Sequence, residues 1–286
     1  MNGILLINKP LGYTSRDVVN EVCRVLNTKK VGHTGTLDPL ASGVLVICVG
    51  KGLKMCELLT NHDKEYIVGV TLGISTDTID LDGNIIDKKI VDISENNIKN
   101  GVFSFVGKYL QEVPKYSAVK IDGRKLYEYA RSGIDVKLPT REVDIKSIDI
   151  ISDIIYDCGL IHFNLRCTVS KGTYIRSLVR DIGKKLSVPA VMNSLIRIRL
   201  GDYSIDKCYS IDNIINNQFK LIDIMDAFSY IPRINVNNDI AFKVKNGVVI
   251  KNFFDDELAF IIDDNGNLLA LYKNYDGICR PYKVFV

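Results

Sequence analysis

Residues 32–43 read GHTGTLDPLASG and place three glycines and one proline within twelve positions. So many turn-forming residues predict an ordered loop and not a regular helix or strand. The loop carries one imidazole, His33, and one carboxylate, Asp38. Because functional side chains often lie on such loops, Asp38 is the first candidate for a catalytic residue. The alternative is that Asp38 only accepts a backbone hydrogen bond in a turn before Pro39.

The elements around this loop alternate without a regular β-α-β order. Apolar periodicity predicts strands at 3–8, 44–49, 64–72 and 116–121, two or more antiparallel strands within 143–170, and helices starting at Thr14 or Ser15, at 126–131 and at 173–186. This mixture favours an α+β fold over a doubly wound one.

The pattern changes near residue 230. Beyond it the sequence predicts short strands separated by turns at Asn246-Gly247, Asn265-Gly266 and Asp276-Gly277. We therefore expect two domains, residues 1–230 and residues 231–286.

Composition narrows the class of protein. The 286 residues are 47% hydrophobic and 25% charged, as in globular chains, and no apolar run approaches the roughly 20 residues that cross a bilayer. The lack of such a run predicts a protein that does not bind membranes. Seven cysteines without a C-x-x-C pair are typical of reduced thiols, so we expect the protein to be cytoplasmic.

Several kinds of site are absent from the sequence. It contains neither a G-x-x-x-x-G-K-[ST] phosphate loop nor a G-x-G-x-x-G fingerprint, and its three histidines lie far apart. We therefore expect no nucleotide cofactor and no metal.

Two further segments contain candidate binding residues. In the predicted strand at 64–72, the period of two puts Lys64 and Tyr66 on one face, which suits phosphate neutralisation and base stacking. The alternative for Tyr66 is an ordinary core or rim position. Arg176 falls in the first turn of a predicted helix, where a cation opposes the helix dipole. A nearby anion, either a phosphate or a carboxylate such as Asp38, would explain this placement, and a solvated arginine is the alternative.

Positive charge is concentrated in one part of the chain. The whole sequence carries a net charge of only +3, but residues 166–199, the basic segment, hold eight basic residues and one acidic residue, a net charge of +7. Such a surplus suits a polyanionic partner. A solvated helix face is the alternative.

Taken together and in order, six segments resemble the TruB family of bacterial tRNA pseudouridine-55 synthases. They are INKPLGYTS (7–15), KVGHTGTLDPLASGV (30–44), KEY (64–66), YSAVK (116–120), KLYEYAR (125–131) and GTYIR (172–176). The resemblance extends to about residue 203 and is weaker beyond. It implies a pseudouridine synthase fold, with a central, mostly antiparallel mixed sheet flanked by helices and a small β-rich, PUA-like RNA-binding domain at the C-terminus.

The resemblance also implies roles for individual residues. Asp38 would be the catalytic aspartate, Tyr66 would stack on the target uracil, and Arg176 would pair with the Asp38 carboxylate. The remaining candidates for contacts with RNA or the flipped base are His33, Lys64, Tyr174 and Leu195.

The implied reaction converts uridine 55 in the T loop of tRNA to pseudouridine on a flipped-out base. It needs no cofactor, because the isomerisation involves no net redox change. Asp38 could attack C1′ of the ribose or C6 of the uracil, and the sequence leaves both open. We expect a monomer that binds the T arm without an obligate protein partner. The alternatives are a tRNA-binding or tRNA-folding module with a secondary catalytic role, and a nucleoside glycosidase.

Overall fold

A computed structural model describes residues 1–285 of the chain. Within this range the strands are β1 (Gly3–Lys9), β2 (Val31–His33), β3 (Ala41–Val49), β4 (Lys64–Leu72), β5 (Ile74–Thr76), β6 (Ile85–Lys88), β7 (Gly107–Glu112), β8 (Lys120–Ile121), β9 (Arg124–Lys125), β10 (Thr140–Ile150), β11 (Ile155–Asp157), β12 (Leu160–Val169), β13 (Ala190–Leu200), β14 (Tyr203–Ser204), β15 (Arg233–Asn235), β16 (Ile250–Lys251), β17 (Leu258–Ile262), β18 (Leu268–Tyr275) and β19 (Ile278–Val284).

Helices and two short 3₁₀ segments, Gly50–Met55 and Ile205–Lys207, lie between these strands. The helices are α1 (Ser15–Val25), α2 (Cys56–Thr60), α3 (Glu95–Phe103), α4 (Leu126–Arg131), α5 (Ile175–Leu186), α6 (Ile211–Ile215), α7 (Ile224–Ala227) and α8 (Asn238–Lys245). Across residues 1–285, no helix is both long enough and apolar enough to cross a membrane.

Ten strands form one large sheet. Seven of them follow one another in the order β1-β3-β13-β4-β12-β10-β7. The other three each pair with one of these strands: β2 with β3, β11 with β12 and β14 with β13. The pairing of β13 with β3 is parallel, and the other pairings in this sheet are antiparallel. The expected α+β fold with a mostly antiparallel mixed sheet is confirmed. Its centre is β4, which lies between β12 and β13.

Helix α1 begins where the sequence predicts it. The Thr14 hydroxyl accepts the Asp17 backbone N–H at 3.1 Å, and the Asp17 carboxylate accepts the Thr14 N–H at 2.8 Å. This reciprocal capping box satisfies two backbone donors that the first helical turn leaves free. It places Ser15 at the start of the helix, beneath the loop at 32–43.

One face of the sheet packs against helices. Apolar side chains of β4, β12 and β10 form a core with α3 and α5, and β1 and β3 pack similarly against α1. Burial of these apolar faces is the main stabilising contribution to the layered structure.

The C-terminal strands form a second, five-stranded sheet in the order β15-β17-β18-β19-β16. The turns at Asn265-Gly266 and Asp276-Gly277 connect β17 to β18 and β18 to β19, as predicted. The turn at Asn246-Gly247 instead ends helix α8, which the sequence reading missed. Phe260, Leu271 and Phe285 join side chains of β1 and β3 in one buried cluster, so the two sheets share a hydrophobic core.

The predicted strand at 116–121 is wrong except for its last two residues, Lys120–Ile121. Backbone carbonyls before these two residues accept hydrogen bonds from other parts of the structure and not from a neighbouring strand. The Tyr116 carbonyl accepts a hydrogen bond from Arg176, and the Ser117 and Val119 carbonyls accept N–H groups at the start of α4. These bonds to a side chain and a helix leave no continuous strand ladder.

Strand β13 was not predicted. Residues 190–200 belong to no predicted helix or strand, yet they form the strand that joins β3 to β4 in the middle of the sheet. This strand brings Leu195 beside Ala41 and opposite Val68, and thus next to the loop at 32–43.

Candidate active site

The loop that carries Asp38 is ordered by its neighbours. His33 ends β2 and Ala41 begins β3, so the irregular part lies between them. The Ser15 hydroxyl donates to the Leu37 carbonyl at 3.1 Å and accepts the Leu37 N–H at 2.8 Å. The Asp38 side chain remains 39% exposed. The scaffold therefore fixes the backbone next to Asp38 while its carboxylate stays accessible.

A buried arginine holds both ends of this loop. Arg197 donates to the Val44 carbonyl at 2.7 Å and to the Gly35 carbonyl at 3.2 Å. Gly43 has φ +105°, and a Cβ there would lie 2.2 Å from the Arg197 carbonyl oxygen. Only glycine fits this close approach of β3 and β13.

Arg176 is the centre of the polar cluster at the site. Its side chain is 8% exposed, and its Nη2 lies 2.9 Å from Asp38 Oδ2. The same guanidinium donates to the carbonyls of Thr78 and Tyr116, each at 3.0 Å. Of the explanations for Arg176 in the first turn of α5, the carboxylate of Asp38 is therefore the one that the structure shows.

A second carboxylate, Asp80, lies on the other side of Arg176. Its Oδ2 is 3.4 Å from Arg176 Nη1, and its side chain is 7% exposed. The Thr78 hydroxyl donates to Asp80 Oδ1 at 2.5 Å. In the sequence, Asp80 is one of three aspartates in the acidic segment 76–83, and nothing there indicates a role for it. Two carboxylates and two carbonyls thus hold the guanidinium plane in one orientation.

A cavity of about 360 Å³ opens beside this cluster. It brings together five of the seven residues singled out from the sequence: Asp38, Tyr66, Tyr174, Arg176 and Leu195. Part of its wall is formed by Tyr116, Ser117 and Tyr127, for which the sequence indicated no role. A carboxylate, an arginine and several aromatic rings around one cavity suit a planar polar ligand such as a base.

Strands β4 and β13 and the start of helix α5 position the side chains that line this cavity. Tyr66 on β4 and Leu195 on β13 come from adjacent central strands, and each is 7% exposed. Tyr174 immediately precedes α5. Its N–H donates to the Gln111 amide oxygen at 2.8 Å, and its carbonyl accepts from the Gln111 amide nitrogen at 3.1 Å. Rigid elements thus carry the side chains that would contact a base.

Lys64 does not line this cavity. It shares the face of β4 with Tyr66, but its ammonium is buried and donates to the carbonyls of Thr60 and His62 at 2.8 and 2.7 Å. Burial, followed by repulsion from Arg197, lowers the pKa of Lys64 to about 8. The structure therefore does not provide the free cation beside Tyr66 that the strand period suggested, because backbone carbonyls bind two of the three ammonium N–H groups.

His33 also lies outside the cavity lining. Its Nδ1 accepts the Gly35 N–H at 3.4 Å. Burial and, to a lesser extent, the charges of Arg197 and Arg16 lower the pKa of His33, which favours the neutral ring.

Part of the positive charge of the basic segment is used inside the protein. Arg176 and Arg197 are buried, and Arg180 pairs with Glu112 and Asp181. The net charge of +7 therefore overstates what a polyanion would meet at the surface.

We expect Ser117→Ala to weaken substrate use without loss of stability. Within residues 1–285 the buried Ser117 Oγ has no hydrogen-bond partner, and Ser117 lines the cavity. A buried, unsatisfied hydroxyl costs about 1–3 kcal/mol, so its removal should leave the melting temperature equal or raise it. If a bound base satisfies this hydroxyl, kcat/KM falls by about tenfold, whereas an unchanged kcat/KM would show that the substrate does not use it.

Sequence similarity to known proteins covers the entire chain. The family model described as "TruB family pseudouridylate synthase (N terminal domain)" matches residues 23–175. The tRNA pseudouridine synthase B of Bacillus pumilus (strain SAFR-032) is 39% identical, over 99% of this chain and 97% of the relative. The protein of the same name from Bacillus subtilis (strain 168) is 40% identical, over 100% of this chain and 98% of the relative.

Solved structures share the fold at lower sequence identity. A chain in the structure of an H/ACA RNP bound to a substrate RNA containing 2′-deoxyuridine matches with a TM-score of 0.71 and 22% identity, covering 99% of this chain and 85% of that chain. A Cbf5-Nop10-Gar1 complex gives a TM-score of 0.70 with the same identity and coverage. At this identity the likeness concerns the fold alone.

Proposed function

Since the chain belongs to the TruB family of pseudouridylate synthases, we propose that it isomerises uridine 55 in the T loop of tRNA to pseudouridine. The observation that carries the assignment of its site is the 2.9 Å pair between Arg176 and Asp38 at the wall of the aromatic cavity. This arrangement presents one oriented carboxylate to a base that has left its stack.

The reaction requires one bond to break and another to form. The C1′–N1 bond is cleaved, the uracil rotates, and a C1′–C5 bond replaces it, after which the proton on C5 leaves and N1 gains one. Asp38 is the nucleophile in this proposal, with C1′ of the ribose or C6 of the uracil as its target. The chemistry involves no net redox change, so it requires no redox cofactor.

The surrounding residues act on orientation and binding. Arg176 compensates the charge of Asp38 and aims its carboxylate. Tyr66 stacks on the uracil, while Leu195 and Tyr174 hold the base from other sides of the cavity. Because the uracil stays enclosed while C1′–N1 is broken, it is retained and rejoined, unlike the free base that a nucleoside glycosidase releases.

We assign the catalytic reaction to residues 1–230 and RNA binding of the PUA-like kind to residues 231–286. The change of sheet between β14 and β15 supports this boundary, and the shared hydrophobic cluster couples the two parts. We propose a monomer that acts on the T arm without an obligate protein partner. Its seven unpaired cysteines are compatible with the cytoplasm, where its substrate is found.

The test is incubation of the protein with an unmodified tRNA transcript, without cofactor and with a chelator, followed by mapping of pseudouridine. We expect product at position 55 alone. Released uracil would indicate a glycosidase, and a transcript that binds but stays unmodified would favour the tRNA-folding module.

A further inference from the structure

Two arginines of the basic segment share one carboxylate in the middle of the large sheet. Glu65 on β4 accepts from Arg166 Nε on β12 at 2.6 Å and from Arg199 Nε on β13 at 2.6 Å. The side chain of Glu65 is 9% exposed, whereas those of Arg166 and Arg199 are 55% and 43% exposed. We call these three residues the arginine cluster.

The arginine cluster lies on the sheet face opposite the catalytic cavity. Successive residues of a strand point to opposite faces, so Glu65 points away from the side on which Tyr66 lines the cavity. On the cluster's face, Asn164 on β12 and Ser194 on β13 are exposed. The cluster is therefore open to a large partner.

Donors of the cluster remain free. Arg166 uses Nε for Glu65, and Arg199 uses Nε for Glu65 and Nη1 for the Gly201 carbonyl at 3.3 Å. Among residues 1–285, the nitrogens Arg166 Nη1, Arg166 Nη2 and Arg199 Nη2 make no hydrogen bond. Each guanidinium is permanently charged and offers five N–H donors.

The cluster keeps a net positive charge. Although burial raises it, the pKa of Glu65 is lowered overall by hydrogen bonds from Arg199 and Arg166, so Glu65 is ionised at neutral pH. Two guanidinium charges against one carboxylate leave +1. Because Glu65 fixes both Nε atoms, little side-chain freedom is lost when an anion binds the outer nitrogens.

A further exposed cation, Lys171, follows Arg166 of the arginine cluster in the chain. Lys171 follows the end of β12, and its ammonium donates to the Asn61 side chain at 3.0 Å. Thr173, two residues later, lines the cavity. In the chain, Lys171 thus lies between Arg166 of the arginine cluster and Thr173 of the cavity wall, and its exposed ammonium is a further cation that an RNA backbone could contact.

We propose that Arg166 and Arg199, held by Glu65, bind a backbone phosphate of tRNA outside the hairpin whose loop enters the cavity. This inference rests on the proposed function for the identity of the RNA. Planar guanidinium groups match phosphate oxygens, and the sheet itself separates the cluster from a loop inserted on the other face.

The experiment compares two RNA ligands, the full unmodified tRNA transcript and an isolated T-arm hairpin, by equilibrium binding at several salt concentrations. For R166Q/R199Q we expect about tenfold weaker binding of the tRNA and a shallower salt dependence, because each lost phosphate contact reduces the slope of log K against log salt by about 0.7–0.9. We expect hairpin binding and pseudouridine formation in the hairpin to stay unchanged.

Matched variants separate charge from structure. R24Q removes one arginine from an exposed Arg24–Glu21 pair elsewhere and should change neither affinity nor slope. R166K/R199K keeps both charges but not the guanidinium fork, so it should restore the salt dependence and only part of the affinity. If the double glutamine variant does not fold, R166Q and R199Q measured singly, each leaving Glu65 one partner, should each weaken tRNA binding by about threefold.

Unchanged tRNA binding, or equal losses for tRNA and hairpin, would each overturn the proposal. A different outcome of the same experiment tests the proposed function. A wild-type protein that binds tRNA with this arginine dependence but forms no pseudouridine would refute the enzymatic assignment and leave the phosphate site standing.

Discussion

Asp38→Asn should abolish pseudouridine formation while the protein still folds and binds tRNA. The amide has nearly the shape of the carboxylate and can accept a hydrogen bond from Arg176, but it lacks the nucleophilic charge. Removal of a catalytic nucleophile costs on the order of 10⁴-fold or more in turnover. Single-turnover assays on the tRNA transcript measure the loss, and equilibrium binding measures what is retained.

Asp264→Asn is the matched control for this variant. Asp264 is exposed in the turn between β17 and β18, so the same chemical change there should leave turnover unaltered. Measurable turnover by the Asp38 variant would remove Asp38 from the catalytic role. Retained biological effect without turnover would instead favour the tRNA-folding function.

Arg176→Ala should reduce both stability and activity. The substitution leaves the buried Asp80 carboxylate without its cation and the carbonyls of Thr78 and Tyr116 without a donor. Breaking a buried ion pair in this way costs about 3–5 kcal/mol in the free energy of unfolding. We also expect turnover to fall by at least about 10²-fold, because Asp38 loses the group that orients it. Denaturant unfolding and single-turnover kinetics measure the two effects.

The second variant in this experiment is the double substitution Arg176→Ala with Asp80→Asn. A neutral amide is less costly to leave buried than a carboxylate, so the double variant should regain about 1–3 kcal/mol of stability over Arg176→Ala, without regaining turnover. Arg24→Ala, in an exposed pair, should change stability by less than about 1 kcal/mol. Wild-type stability in Arg176→Ala would contradict a structural role for the cluster, and wild-type turnover would contradict the orienting role.

Local patterns were sufficient for several elements. Strand β4 has the predicted bounds 64–72, helix α4 has the predicted bounds 126–131, and the capping residue of α1 was one of the two expected. These features depend on residues close together in sequence, where periodicity, capping and turn chemistry act. The segment at 116–121 looked equally strand-like, but its carbonyls are taken by a distant arginine and by α4.

The residues of the site also fall into two groups: those that the sequence indicates and those that only the structure reveals. A glycine-rich loop with one carboxylate, a tyrosine in a strand and an arginine at a helix start were visible in the sequence. Asp80 was not, because nothing in the acidic turn at 76–83 shows that its carboxylate faces Arg176 from 96 positions away. Lys64 was expected beside the base, but only the packed structure shows that backbone carbonyls bind its ammonium.

The order of the strands in the large sheet explains why some site residues could be predicted and others could not. The chain sequence alone was enough for the kind of fold, the loop that presents Asp38 and the family to which the chain belongs. Only the tertiary structure decides which charges remain available, because β4 lies between two strands that come about 100 and 130 positions later in the chain. That arrangement places Tyr66 in the cavity on one face of the sheet and Glu65, with Arg166 and Arg199, on the other. Pairing between distant strands, and the burial that follows from it, turned a basic segment of +7 into a few accessible cations.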